Sequence, residues 1–375
     1  MRLIHQRFLL PCLLLLTFLV ATLHGQQPEE VQRLTPGGSA PAVVSRTTTK
    51  LGIRKIVTTN LYVMEGPKLK SRQLVKGKGD KRPAWSPDGQ KIAFRGEFAQ
   101  LYIVNADGSG RIQLTHRPSV VYDFAWSTVE EKIAYEEVEN VHLKTMSGHT
   151  VVDSGDQKIV LSNSDGSGRE EVMDMRCKLG DEQSLNWAPD GEKIAFTSCT
   201  DGEPVVVVMG EHGEGAQAIV KGYDPKWSPD GKRLLFHRGL SIWVANADGT
   251  EPRVAIEDEP ALCGLAWFPD GKSIAFASER NEKHQTEIFR INVDGTGMEK
   301  IASRPHQDLC NPTLSPDGTR LVVNSIDRRY LDNWNYHPLR AELSDDFDIW
   351  AIDLGSHKRQ RLGSGSYSDV LWEKK

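Results

Sequence analysis

A ten-residue pattern, W-[SAF]-P-D-G-x-x-[IL]-[AL]-F, recurs along this chain and restricts its fold more than any other feature. It stands at Trp85 (WSPDGQKIAF), Trp187 (WAPDGEKIAF), Trp227 (WSPDGKRLLF) and Trp267 (WFPDGKSIAF). Degenerate copies begin at Trp126 (WSTVEEKIAY) and Leu314 (LSPDGTRLVV), and the successive spacings are 41, 61, 40, 40 and 47 residues. A second element follows five of the six copies: LYIVNADGSG at Leu101, IVLSNSDGSG at Ile159, SIWVANADGT at Ser241, IFRINVDGTG at Ile288 and DIWAIDLGSH at Asp348. Self-similarity at a fixed period of this size means stacked copies of one supersecondary unit.

Each piece has a physical reason. In S-P-D-G the proline presets φ for the first turn position, aspartate tolerates the next, and glycine takes the left-handed φ that follows. The runs on either side have the β-branched and aromatic composition of short strands, and N-x-D-G-S-G reads as a second hairpin turn. The unit is therefore a four-stranded antiparallel meander. One meander cannot bury both of its faces, so the copies must pack radially as the blades of an all-β propeller.

The ends decide the count. The last residues, YSDVLWEKK, put Trp372 in the tryptophan position without the rest of the unit. Three strands of the right kind stand at the other end: IRKIVTT from Ile53, NLYVMEG from Asn60 and SRQLV from Ser71. Seven blades are expected, the last closed by pairing the C-terminal strand with the N-terminal ones, which removes the open sheet edges. Six blades with loose flanking pieces is the alternative.

The W-S-P-D-G…I-A-F…N-x-D-G-S-G unit resembles the TolB-type propeller repeat, which also builds the propellers of prolyl-oligopeptidase-like enzymes and of oligogalacturonate lyase. The resemblance covers residues 51–375 and implies a closed propeller. TolB proteins carry a sizeable α/β domain before the propeller, for which residues 26–50 offer no room. For partners the resemblance implies proteins of the cell envelope.

Arg2 and Arg7 precede an apolar run from Phe8 to Leu23, the pattern of a secretory signal peptide ending at Gly25; an uncleaved membrane anchor is the alternative. Residues 26–50 are rich in Pro, Gly, Ser and Thr and read as a flexible linker. The expected organisation is thus signal peptide 1–25, linker 26–50 and propeller 51–375, in the periplasm or secreted. Nothing after the leader is apolar enough to span a membrane. The net charge of -5 argues against a nucleic-acid partner, since such domains carry clustered Lys and Arg. Residues 26–82 do hold 12 Lys/Arg against 4 Asp/Glu, while the rest after the linker holds 32 against 47. That basic stretch suits an anionic surface or, more simply, an edge strand defended by lysines.

Candidate sites follow from the repeat. The tryptophans occupy one register of every inner strand, so they read as packing between blades. The aspartates of the P-D-G turns read as turn formers, without the spacing of a calcium loop. The position three before each tryptophan holds Arg82, Asp123, Ser184, Asp224, Gly264, Asn311 and Asp369. At the channel end of the inner strands these residues would form a polar ring with three carboxylates, suited to a divalent cation or a basic peptide group. The alternative is that they bond neighbouring backbone and bridge blades. Tyr122 and Tyr223 precede two of the carboxylates and add ring surface.

Two insertions fall between second and third strands and so project from the face of this ring. One is Glu136–Asp156, with His142, His149 and Asp153; the other is Asp327–Asp346, with Trp334, Tyr336 and His337 as candidate contact residues. Long loops are often functional, and aromatic ones suit partner contact. Cys177 and Cys199 meet on one face as a candidate disulfide. Cys263 and Cys310 occupy matching positions in adjacent blades, whose separation favours free thiols over a bridge.

An enzyme reading lacks parts. No G-x-S-x-G elbow occurs, and no length remains for a hydrolase domain. The resemblance to oligogalacturonate lyase would imply a histidine-rich metal cluster, but Arg304-Pro305-His306-Gln307 is followed by Cys310 and Asn311, and His116 lies in a different loop. The expectation is a non-catalytic binding platform without a cofactor. The alternative is a carbohydrate-active lyase or polysaccharide-binding propeller with a metal at the channel mouth.

Overall fold

The structure is a computed structural model and describes residues 41–51, 54–65, 70–77, 81–146, 149–175, 184–257, 264–280, 285–327, 347–364 and 370–372. They belong to a unit that begins at Ser39. The described residues form seven four-stranded antiparallel sheets. Six are built from four consecutive strands each and are numbered here blades 1–6, with inner strands Lys81–Trp85, Val120–Trp126, Leu185–Trp187, Tyr223–Trp227, Leu265–Trp267 and Gln307–Leu314. The seventh is composite, with strand order Val370–Trp372, Pro41–Leu51, Arg54–Glu65, Lys70–Gly77.

Closure by the C-terminal strand is as the repeat requires, but the partner differs. Pro41, Ala42 and Val43 pair with Trp372, Leu371 and Val370. Residues expected to be linker thus form the strand Pro41–Leu51, and the segments read as two strands from Ile53 and Asn60 lie in one, Arg54–Glu65. The stretch AVVSRTTTKL has the β-branched content of a strand, which its flanking Pro and Gly obscured.

Burial explains the ring. Apolar clusters join successive sheets in order: blades 1 and 2 through Ile103, Phe124 and Trp126, blades 2 and 3 through Ile159 and Trp187, blades 3 and 4 through Val206 and Phe236. Blades 4 and 5 share Val244 and Phe276, blades 5 and 6 share Ile288 and Leu321, and blade 6 meets the composite sheet at Ile349 and Met64. Each of blades 2–6 therefore has apolar side chains on both faces, as expected of a blade sandwiched between two others.

The tryptophans do more than pack. The indole N–H groups of Trp126, Trp187, Trp227 and Trp267 donate to the carbonyls of Ala84, Ala125, Asn186 and Lys226, at 3.0, 3.1, 3.2 and 3.0 Å. Each acceptor is the residue just before the tryptophan position of the preceding blade, so one bond is repeated between five successive blades. Leu314 supplies no donor in blade 6.

Both turns behave as their chemistry demands. Asp88, Asp230 and Asp317 accept from Ser86, Ser228 and Ser315 of the same turn at 2.6, 2.6 and 2.5 Å. In the second turn Asp107, Asp165, Asp248 and Asp294 accept the backbone N–H two residues on, at 2.8 to 3.0 Å. These bonds hold the carboxyls below their ordinary pKa, Asp317 to about 2. The aspartates are turn formers.

Candidate functional site

Strand direction separates the two faces of the ring. The P-D-G and N-x-D-G turns close one face. The other carries the start of each inner strand, the hairpins between second and third strands, and the connections between blades. The candidate ring residues Arg82, Asp123, Ser184, Asp224, Gly264 and Asn311 map to this second face.

In blades 2, 4 and 6 the pairing of inner and second strands slips between Val121 and Phe124, Tyr223 and Lys226, and Cys310 and Thr313. The ring position falls inside each slip, which is a β-bulge. Asp224, Gly264 and Asn311 have φ of +51°, +89° and +50°, so Asp, Gly and Asn stand there partly because they tolerate left-handed backbone.

Their side chains also join blades. The Asp123 carboxylate accepts the Leu185 N–H of blade 3 at 2.9 Å. Ser184 Oγ accepts from Asn186, whose amide also donates to the Pro225 carbonyl of blade 4 at 2.9 Å. The Asp224 N–H donates to Thr197 Oγ1 of blade 3 at 3.0 Å. The blade-bridging alternative therefore describes what these groups contact. Gly264 approaches blade 6 so closely that a Cβ there would lie 2.9 Å from Asn311 Cα. Asp369, Trp334, Tyr336, His337 and Cys177 lie outside the described residues.

Asp224 is the most elaborated ring position. Its carboxylate takes Lys226 Nζ at 3.2 Å and lies 3.7 Å from His237 Nε2. Burial pushes this carboxyl up, but Lys226, His237 and a hydrogen bond from Ser184 outweigh it and hold the group below its usual range. His237 is pushed down, first by burial and further by Lys226, against the pull of Asp224. Tyr223 stacks on His237 with centroids 5.2 Å apart. Tyr122 is half-buried; burial and then Glu136 push its hydroxyl up, and Arg95 donates to its carbonyl at 2.7 Å.

The first insertion is a β-hairpin rather than a loop. Lys132–Met146 and His149–Asn163 pair along their length, with bulges near Ser154. The pairing extends the second and third strands of blade 2 well past its inner strand. At its base Arg169 donates to Glu137 at 2.7 Å and Glu171 at 2.9 Å. The second insertion, apart from its first residue, lies outside the described residues.

Cys199 and Cys310 are both disulfide-bonded. The expectation of a free thiol fails at Cys310. That expectation rested on wide blade separation.

Sequence reasoning missed His237, Lys221, Arg238 and Phe98. His237-Arg238 ends the second strand of blade 4, where the neighbouring blades 3 and 5 have the small Thr197-Ser198 and Ala277-Ser278. That departure from the repeat was the available signal. Phe98 lies in a turn that breaks no motif.

The TolB β-propeller domain model matches residues 158–332, and that of the dipeptidyl peptidase IV N-terminal region matches residues 95–217. A TolB homologue of Chlorobium luteolum is 29% identical over 117 residues, 30% of this chain and 26% of its own length. The chain carries a TolB-like β-propeller. An uncharacterized protein of Agrobacterium fabrum is 29% identical over 167 residues, 42% of this chain and 56% of its own length. The matched region thus spans about a quarter of the first relative and little more than half of the second. Oligogalacturonate lyase in complex with manganese superposes with a TM-score of 0.54 at 13% identity, over 75% of this chain and 93% of that one, a likeness of fold. Among the described residues no helix is long and apolar enough to cross a membrane.

Proposed function

We propose that this TolB-like propeller is exported to the periplasm or secreted and serves, without catalysis or cofactor, as a protein-interaction platform. Its working surface is the face that bears the ring and the insertions. One observation carries the reading. On that face Phe98 and Ala99 both have left-handed φ, +58° and +56°, and Phe98 is 64% exposed. Strained non-glycine backbone holding a large apolar ring in water gains nothing for the fold, and such strain gathers at functional positions. Arg117 lies over the ring at 4.7 Å, and Leu240, 58% exposed, tops a hairpin of the same face. TolB relatives support the envelope setting.

The test is capture of envelope proteins by the purified chain against the variant Phe98→Asp/Leu240→Asp. Selective loss of partners with an unchanged melting curve is expected. Identical capture profiles would sink the platform reading. The lyase or polysaccharide reading, with a divalent cation at the channel mouth, predicts instead a stoichiometric metal and a thermal shift with acidic polysaccharides.

A further inference from the structure

Between blades 3 and 4, on the same face, lies a cavity of about 290 Å³ lined by Glu203, Pro204, Lys221, Tyr223, Arg238 and neighbouring glycines. The walls come from the second-to-third-strand hairpins of both blades and from the connection between them. Gly222 is held there by geometry: its φ is +147°, and a Cβ would lie 2.5 Å from both the His237 carbonyl and the Phe236 ring. That close approach sets Lys221 and Tyr223 against Arg238.

Lys221 and Arg238 are the telling pair. Both are exposed at the cavity, and neither has an ion-pair partner among the described residues. Arg238 is steadied by Trp243, whose ring centroid lies 5.0 Å from the guanidinium carbon, so its donors are presented on a fixed stem. Glu203 offsets one of the two charges and leaves the wall net positive. Two unpaired cations converging on one hollow suit a carboxylate, since charge-assisted bonds to guanidinium and ammonium are the strong kind.

We propose that this cavity binds the carboxylate side chains of an acidic segment in a protein partner, an inference that rests on the platform reading. A peptide fits better than an acidic sugar for two reasons. His237 already covers one face of the Tyr223 ring, removing a surface on which a sugar would stack. Leu240, next in the chain after Gly239, offers exposed apolar contact to a residue flanking the acid.

The probe is a short fluorescein-labelled peptide alternating glutamate and leucine, titrated by anisotropy against the whole chain. The glutamate peptide should bind at least about 10-fold more tightly than its glutamine counterpart, and added salt should weaken it. Lys221→Gln/Arg238→Gln should lose about 10-fold or more with an unchanged melting curve, while Arg238→Lys keeps most of the affinity. Equal binding of the two peptides, indifference to the double substitution, or stronger competition by an oligogalacturonate than by unlabelled glutamate peptide would each overturn the assignment. Failure here with envelope capture still dependent on Phe98 and Leu240 removes only this subsite; failure of both removes the platform.

Discussion

Trp85 and Trp126 form a matched pair for testing what the inter-blade indole bond contributes. Their side chains are buried alike, 7% and 6% exposed, and both stand at the repeat position. Trp126 donates to the Ala84 carbonyl at 3.0 Å, whereas the buried Trp85 N–H has no acceptor among the described residues. Replacement by phenylalanine removes similar apolar surface at both sites, a loss of about 1–2 kcal/mol at the usual area coefficient. At Trp126 it also breaks a bond with a net worth of about 0.5–1.5 kcal/mol. At Trp85 it removes a buried donor whose lack of a partner costs about 1–3 kcal/mol. Trp126→Phe should therefore destabilise the chain by at least about 1 kcal/mol more than Trp85→Phe, and the latter should be close to neutral. Urea unfolding followed by far-UV circular dichroism measures the difference, provided both variants unfold in one transition with the same slope. Equal losses at the two sites would refute the idea that the repeated bond, rather than ring volume, makes tryptophan the preferred residue here.

Other outcomes follow from single contacts. Gly222→Ala should cost well over 1 kcal/mol, since a left-handed φ and two contacts at 2.5 Å leave the new methyl no room; a melting curve within error of the parent would contradict this. Deleting residues 370–375 removes the three-pair strand that closes the ring and should expose Pro41–Glu65 to limited proteolysis. His237 has a folded-state pKa below its unfolded value of 6.5. Its stabilising contribution is therefore complete above about pH 6.5 and declines as pH falls from there toward the folded value. Denaturation midpoints across that window should fall more steeply for the parent than for His237→Gln, and parallel profiles would show that the histidine is not the titrating group.

The turns were legible because their physics is local. Asp88 or Asp248 can be assigned from four residues, and the bonds found are those the turn types require. The tryptophan register was legible for the same reason, through repetition. The identity of the closing strand was not, because Pro41–Leu51 pairs locally with Arg54–Glu65, while the contact that closes the ring, at Pro41–Val43, needs Val370–Trp372 from the far end of the chain. Ring position three before each tryptophan was seen as a set of polar side chains, yet at Asp224, Gly264 and Asn311 the residue type also answers to a left-handed bulge. Single sequences do not separate a carboxylate chosen for its charge from one chosen for its φ. Lys221 and Arg238 escaped notice because nothing in the sequence says that two cations 17 positions apart share a cavity.

The two faces of this ring differ in a way that bears on where function lies. On the face of the P-D-G and N-x-D-G turns, nearly every repeat spends its polar groups on the same internal bonds, from Asp88 to Asp317 and from Asp107 to Asp294. A surface built from copies of one satisfied turn offers little to distinguish one partner from another. The opposite face breaks the repeat at almost every blade: the strained Phe98 turn in blade 1, the long hairpin in blade 2, the histidine and unpaired cations of blades 3 and 4, and the approach of Gly264 to Asn311 between blades 5 and 6. The structural work at that face is done by backbone and by Asp123, Asn186 and Thr197 at the joints between blades. That division leaves the outward groups free to vary without loosening the ring. A propeller whose joints and contact groups are different residues can change its partner while keeping its fold, and the departures from the repeat are therefore where a partner should be sought.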